Sequence, residues 1–194
     1  VFTPYKEVLE IYSNGLELPD DVTIVWPDDN YGYLKRLSGP REQQRSGRSG
    51  VYYHVSYLGV PHSYLWFSTT PPALMYEELK KAYDTTADRY WLLNCGDLKG
   101  SEMQVSLFLE MGYDIDAFTP ENVVDYPAQW LSGLFGGKMY GELRENYTAF
   151  LNLAFSRKPE YMGWGYHWNH YGNQCEQLTD TDFSFLNYDE AQQR

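Results

Sequence analysis

Three apolar runs rich in β-branched and aromatic residues occur in the first half of the chain, and they predict three β-strands. The runs cover residues 22–26, 51–57 and 90–94, and polar or glycine-containing sequence follows each of them. The first and third runs are almost continuously apolar, which is typical of strands that are buried on both faces of a parallel sheet.

Apolar residues at helical spacing lie between and after the strands. The pattern at 74–83 follows a pair of prolines, and the pattern at 101–111 begins at Ser101, a residue type suited to capping a helix. The connector at 40–49 is short and polar and predicts no definite helix. An order of strand, connector, strand, helix, strand, helix is typical of consecutive βα units in a parallel sheet or barrel.

The second half of the chain has a different pattern. Residues 126–135 and 141–157 predict two further helices, and residues 161–178, rich in Gly and Asn, predict a loop region. Residues 187–194 predict the first turns of another helix. Because three strands do not close a barrel, this organisation predicts a fragment of a larger domain.

Composition narrows the classes of partner. The net charge of −12 argues against a nucleic-acid surface, which relies on clustered Lys and Arg. No apolar run approaches the roughly 20 residues that cross a bilayer, so no membrane partner is predicted. The 19 tyrosines and 6 tryptophans suit stacking on sugar rings as well as filling a core, and composition leaves both interpretations open.

Metal and nucleotide sites have no support in the sequence. Cys95 and Cys175 are far apart and lack metal-ligand spacing, while His167 and His170 lie in a glycine- and asparagine-rich stretch. No glycine-rich phosphate loop follows a strand, and no Gly-x-Ser-x-Gly motif is present. We therefore predict no metal and no nucleotide.

Polar residues follow all three predicted strands, at the end where βα architectures place their active sites. They are Asp28, Asp29 and Asn30 after the first strand, His54 and Tyr57 in the second, and Asn94, Asp97, Lys99 and Glu102 after the third. Carboxylates on separate loops suit glycoside hydrolysis, in which one protonates the leaving oxygen and the other activates water or attacks the sugar. The same residue types also suit turns and helix starts, so residue types alone do not decide between these interpretations.

The motifs at these strand ends together resemble family 115 glycoside hydrolases. They are Trp26-x-Asp28-Asp29-Asn30-Tyr31-Gly32, then Gly50-Val51-Tyr52-Tyr53-His54-x-x-Tyr57, then Asn94-x-Gly96-Asp97-Leu98-Lys99-x-x-Glu102. Further blocks at 157–160 and 183–191 follow in the family's order. Cys95 stands where the family has valine, and Gly100 where it has proline.

The resemblance implies an inverting α-glucuronidase that removes glucuronic or 4-O-methylglucuronic acid from glucuronoxylan or its oligosaccharides, without a cofactor. It implies an α/β fold, a partial (β/α)8 barrel of about three βα units followed by a helical segment. Residues 1–118 would be the C-terminal part of the catalytic domain, and residues 119–194 the start of a helical domain. A substrate outside the cell implies a secreted or extracellular enzyme.

The resemblance also implies roles for individual residues. Glu102 and either Asp29 or Asp28 form the acid–base pair, with a slight preference for Asp29, because strand alternation places only one aspartate on the face of Trp26. Lys99, assisted by His54, binds the uronate carboxylate; alternatively, Lys99 pairs with Asp97 or Asp28 and never contacts substrate. Asp28 or Asn30 holds sugar hydroxyls, and Asn94 and Asp97 form hydrogen bonds to hydroxyls or to the water. A stacking wall comes from Tyr53 and Tyr57.

Two other interpretations remain open at this stage. The chain also fits a non-catalytic carbohydrate-binding protein of the same fold, or a structural segment whose motifs are turns and caps. As a fragment it is expected to be inactive alone. Its exposed core-facing apolar surface is expected to drive homo-oligomers or association with the missing parts of the parent chain.

Overall fold

The computed structural model describes residues 1–59, 63–65 and 67–156. All three predicted strands are present: β1 (Ile24–Pro27), β2 (Ser49–His54) and β3 (Tyr90–Asn94). They form one parallel sheet in the order β1-β2-β3. The second strand was predicted to reach residue 57, but Tyr57 instead forms an isolated antiparallel bridge with Tyr64.

An N-terminal segment that the sequence analysis did not identify extends the sheet beyond β1. Phe2 makes a parallel bridge to Ile24, and its backbone N–H donates to the carbonyl of Thr23 at 2.8 Å. Helix α1 (Glu7–Ser13) follows. The paired segment is too short to produce a periodic pattern, which explains why the sequence did not reveal it.

Helices α2 (Pro72–Asp84) and α3 (Glu102–Tyr113) confirm the two helical patterns predicted next to the strands. The prolines suit the start of α2 because the first turn of a helix needs no N–H at that position. Ser101 lies at the predicted start of α3, but its side chain makes no capping hydrogen bond. The polar connector before β2 contains only a single 3₁₀ turn, Glu42–Gln44.

The rest of the described chain is helical. A 3₁₀ turn at Ile115–Ala117 leads to α4 (Pro120–Val123), which Thr119 caps with a reciprocal pair of hydrogen bonds to Asn122. Helices α5 (Tyr126–Leu134) and α6 (Tyr140–Ser156) confirm the predicted pair. Among the described residues, no helix is both long and apolar enough to cross a membrane. The predicted loop at 161–178 and helix at 187–194 lie outside the described residues.

Helices α2 and α3 cover one face of the sheet and enclose the main core. Val51 and Tyr53 of β2 and Val55, the residue after this strand, belong to this core. The Tyr53 ring packs on Phe108 of α3 at a centroid distance of 6.2 Å. The helices contribute the following buried apolar residues: Met75, Leu79, Ala82, Met103, Leu107, Phe108 and Met111.

The opposite face of the sheet carries the other side chains of the strands, including Tyr52, His54 and Asn94. Its β3 portion is open, because Tyr90 is 43% and Leu92 40% exposed. The expectation of burial on both faces is therefore confirmed for β1 and wrong for β3. No described residue covers the open part of this face, and closure of the sheet into a barrel stays a prediction.

Close contact between β2 and β3 depends on the absence of a side chain at Gly50. A Cβ atom at this position would overlap the carbonyl oxygen of Tyr90, a backbone atom that cannot move without breaking the strand pairing. We expect Gly50→Ala to lower the free energy of unfolding by about 1–3 kcal/mol or more, as overpacking does. Chemical denaturation of the longest native polypeptide that contains these residues measures this.

Gly133→Ala is the matched control. Nothing lies within 4 Å of a Cβ atom placed there, and Gly133 is in helix α5, where alanine is favoured. Equal stability of the Gly50→Ala and Gly133→Ala variants would contradict the strand packing described above.

Candidate functional site

The candidate site lies at the edge of the sheet where all the parallel strands end. Four loops leave from this edge, after Phe2 and after β1, β2 and β3. Because the strands are parallel, residues that follow them meet at one edge. The sequence-predicted residues of the second, third and fourth loops are therefore brought to the same side of the sheet.

Asp28, directly after β1, is held by four hydrogen bonds. One carboxylate oxygen accepts from the backbone N–H of Asn30 at 2.9 Å and lies 2.5 Å from Nδ1 of His54. The other oxygen accepts from the backbone N–H groups of Gly32 at 3.2 Å and His54 at 2.9 Å. A carboxylate facing Nδ1 favours the imidazole form that carries a proton there.

The Asp28–His54 pair is buried. The Asp28 side chain is 0% and the His54 side chain 1% exposed. The His54 ring packs against the rings of Tyr5, Tyr52 and Tyr57, at centroid distances of 6.3, 4.6 and 5.7 Å. Both Asp28 oxygens are hydrogen-bonded and neither is open to solvent. The residue therefore holds His54 and the loop after β1 in position.

Asp29 has different surroundings, although it is the next residue. Its Oδ1 accepts from the backbone N–H groups of Tyr31 at 3.0 Å and Tyr33 at 3.2 Å. Its Oδ2 lies 3.4 Å from the ammonium group of Lys35, and the side chain is 27% exposed. Asp29 is therefore partly exposed to solvent, and its Oδ2 lies beside the exposed ammonium group of Lys35.

Asn30 connects the loop after β1 with two tyrosines. Its side-chain oxygen accepts from Tyr5 Oη at 2.6 Å, and its backbone carbonyl accepts from Tyr64 Oη at 2.5 Å. The residue has a φ of 73°, a conformation that asparagine tolerates better than most residues. Asn30 is thus fixed in place by side chains from two other loops.

Tyr53 and Tyr57, predicted together as a stacking wall, lie in different places. Tyr57 packs on His54 at the site edge and is itself 7% exposed, whereas Tyr53 is fully buried on the helix-covered face. Tyr53 Oη donates to the carbonyl of Gly32 at 3.0 Å, and burial raises its pKa well above the usual value. Aromatic rings that do accompany Tyr57 are those of Tyr31 and Tyr64, whose centroids are 5.4 Å apart.

The loop after β3 brings the last group of predicted residues. Asn94 donates from its side-chain amide to Tyr52 Oη at 2.7 Å. Glu102, exposed at the start of α3, accepts from the backbone N–H of Gly100 at 2.7 Å. Asp97 and Lys99 are exposed, and within the described residues Lys99 forms no ion pair with Asp97 or Asp28.

Three residues that support the site were missed by the sequence analysis. Tyr5 and Lys6 precede the predicted strands, and no motif marked them. Glu78 lies in the apolar pattern of α2, yet its buried carboxylate accepts from the backbone N–H of Leu34 at 2.7 Å and pairs with Lys81 at 2.8 Å. The sequence gives one indication of the contact between Glu78 and Leu34, which is a charged residue within an apolar helix face.

Among the described residues, no group of three or more His, Cys, Asp and Glu side chains is arranged to hold a metal ion.

The hydrogen bonds of Asp28 and Asp29 predict different effects for the same substitution. Both carboxylate oxygens of Asp28 accept hydrogen bonds, so Asp28→Asn places an amide group opposite backbone N–H or imidazole donors. Only one oxygen of Asp29 accepts from the backbone, so Asp29→Asn retains an oxygen for both of its backbone partners. We expect Asp28→Asn to lower the unfolding free energy by about 1–3 kcal/mol.

Asp29→Asn should lower that free energy much less. Thermal and chemical unfolding of the two variants, side by side, measure the difference. If Asp29→Asn proves the more destabilising variant, Asp28 is not the buried anchor of the loop.

Both a protein-family model and a solved structure match this chain. The family model for glycosyl hydrolase family 115 matches residues 1–161. A solved structure of a family 115 4-O-methyl-α-glucuronidase with specificity for decorated arabinogalactans has a TM-score of 0.79 and 44% sequence identity. The match covers 83% of this chain and 21% of that one. No curated protein sequence matches significantly. The chain belongs to glycosyl hydrolase family 115.

Proposed function

We propose that this chain forms part of the active site of an inverting α-glucuronidase. The enzyme removes glucuronic or 4-O-methylglucuronic acid side chains from glucuronoxylan or its oligosaccharides. The observation that carries the proposal is that carboxylates follow two strands of one parallel sheet, at one edge, in a member of a glycosidase family. The solved relative, which is a 4-O-methyl-α-glucuronidase, supports the same linkage and sugar.

Asp29 and Glu102 form the acid–base pair in this proposal. Both are accessible to solvent, whereas Asp28 has no exposed oxygen. Inversion requires the two carboxyl groups to lie roughly 6.5–9.5 Å apart, so that a water molecule fits between one of them and the sugar. Strands β1 and β3 are separated by β2, which makes such a gap geometrically reasonable.

The surrounding residues would bind the sugar. Asn94, the last residue of β3, and the exposed Asp97 after it would offer hydrogen bonds to hydroxyl groups. Tyr57 is 7% exposed, so it offers little surface for stacking on a sugar. The side-chain oxygen of Asn30 already accepts a hydrogen bond from Tyr5, so its amide hydrogens are the groups that remain for a sugar. Asp28 would orient His54, in the way that buried carboxylates fix the form of an imidazole.

The larger assembly is also a proposal. The described unit would be the last part of a (β/α)8 catalytic domain, over residues 1–118, and residues 119–194 would begin a helical domain. The chain spans about a fifth of the solved relative, and the face of β3 around Tyr90 and Leu92 is open. We therefore expect the isolated chain to be inactive and to associate with itself or with the rest of the parent protein, a secreted enzyme.

Proton NMR of polysaccharide digests tests the proposed activity. The longest native polypeptide that contains this chain is incubated with glucuronoxylan and, separately, with a decorated arabinogalactan. The expected first product from glucuronoxylan is free glucuronic acid in the β configuration, because inversion converts an α-linked side chain into a β sugar. Initial release of the α form would contradict inversion.

Release from arabinogalactan alone would move the substrate class to that of the solved relative. If a folded protein releases no uronic acid from either polysaccharide, the enzyme assignment fails. A measured affinity for the polysaccharide without hydrolysis would then favour the carbohydrate-binding alternative.

The acid–base pair is tested by conservative substitutions. Asp29→Asn and Glu102→Gln keep side-chain size but remove the ability to exchange a proton, so each should lower kcat by about 10²–10⁴-fold. Glu121→Gln is the matched control, since Glu121 is an exposed residue of α4 far along the chain from the motifs. Circular dichroism should show that all three variants fold, and activity within a few-fold of wild type for both site variants would exclude this pair.

A further inference from the structure

We infer that Lys6 binds the carboxylate group of the uronic acid and thereby makes this site prefer charged sugars over neutral ones. The inference rests on the proposed function, because it assigns the specificity of the same edge of the sheet. The sequence motif predicts this role for Lys99, whereas Lys6 is the cation that contacts Tyr57 in the structure.

Lys6 lies where the loop after Phe2 meets the end of β2. Its ammonium nitrogen is 3.5 Å from Tyr57 Oη. The preceding residue, Tyr5, donates to the Asn30 side chain at 2.6 Å and has its ring 6.3 Å from that of His54. Lys6 is therefore tied to the loops that carry the candidate site, on the side where the strands end.

The ammonium group is available for an anion. Throughout the described residues no Asp or Glu forms an ion pair with Lys6, whereas Lys80 and Lys81 pair with acidic residues of their own helix. Its 3.5 Å contact with Tyr57 is at the outer limit of a hydrogen bond and leaves ammonium hydrogens for another acceptor. The hydrogen bond to Tyr57 is the main cause of a raised Lys6 pKa. A lysine ammonium group is charged at neutral pH without any such shift.

Aromatic rings hold the ammonium in place and add an apolar surface. The nitrogen lies 5.1 Å from the centre of the Tyr5 ring and 5.9 Å from that of Tyr57, within the range of cation–π attraction. Tyrosine faces also suit the C–H face of a pyranose ring. A sugar packed against the partly exposed Tyr5 ring would have its charged substituent beside Lys6.

The backbone at Lys6 is strained. Its φ of 52° and ψ of −123° belong to a region that favours glycine. Five non-glycine residues of the described chain have positive φ, and two of these, Lys6 and Asn30, lie at this edge and are joined through Tyr5. Glycine would satisfy the turn without strain, and the presence of a long cationic side chain there is consistent with a binding role.

Binding measurements with a charged sugar and its uncharged counterpart test the inference. Dissociation constants for glucuronic acid and its methyl ester are measured by calorimetry or ligand-observed NMR on the native polypeptide and on Lys6→Met, which keeps side-chain length. The wild type should prefer the acid over the ester, and Lys6→Met should reduce that preference by about 10–100-fold, the contribution of a charge-assisted hydrogen bond. Lys138→Met, at an exposed residue outside the site, should keep the preference.

The outcomes separate this inference from the proposed function, since binding is measured without hydrolysis. If the wild type releases uronic acid from polysaccharide but Lys6→Met keeps the preference for the acid, the function stands and the role of Lys6 is overturned. Loss of the preference in Lys99→Met instead of Lys6→Met overturns it in favour of Lys99. A wild type that binds acid and ester equally overturns it as well, and hydrolysis of polysaccharide then decides the function independently.

Discussion

The carboxylate of Asp28 joins two strands of the sheet to the loop that carries the candidate site. It accepts hydrogen bonds from the backbone of that loop and from both the backbone and the ring of His54 on β2. A buried carboxylate is costly unless its oxygens are fully hydrogen-bonded, so the loop and the strand must adopt this arrangement together. The positions of Asp29, Asn30 and His54 all follow from it.

Two adjacent aspartates therefore serve different purposes because of the direction in which their side chains point. The Asp28 side chain is buried and fixes the loop through its hydrogen bonds, while the Asp29 side chain is partly exposed to solvent. Chemistry on a sugar needs an accessible carboxylate, and accurate placement of that carboxylate needs a rigid loop. In the proposed mechanism, the Asp-Asp-Asn-Tyr-Gly segment would supply both within a few residues. Gly32 closes it at a φ of 94°, with its carbonyl held by Tyr53 from the core.

One face of the sheet is covered by helices, and part of the other face is open. Helices α2 and α3 bury the side of Val51 and Tyr53, whereas the side of Tyr90 and Leu92 remains open. The candidate site lies at the edge between them, where loops meet and where a substrate would also contact whatever covers the open face. This open face agrees with a chain that matches about a fifth of its solved relative.

Strand positions, the main helices and the clusters after each strand were predictable from the sequence, because apolar periodicity and turn residues are local properties. The pairing of Phe2 was not, since a single paired residue has no period. Nor was the contact of Glu78 with Leu34, which joins residues far apart in the chain.

By itself, the sequence determined the family through its motifs, the parallel α/β pattern and the set of candidate side chains. Only the tertiary structure decided which of these side chains is buried and which is accessible. In the structure, Asp28 is buried and Asp29 is partly exposed. Tyr53 lies in the core, and Lys6 contacts Tyr57. The reason is physical: burial and hydrogen-bond partners depend on residues distant in the chain, and the order of residues does not encode their distances in space.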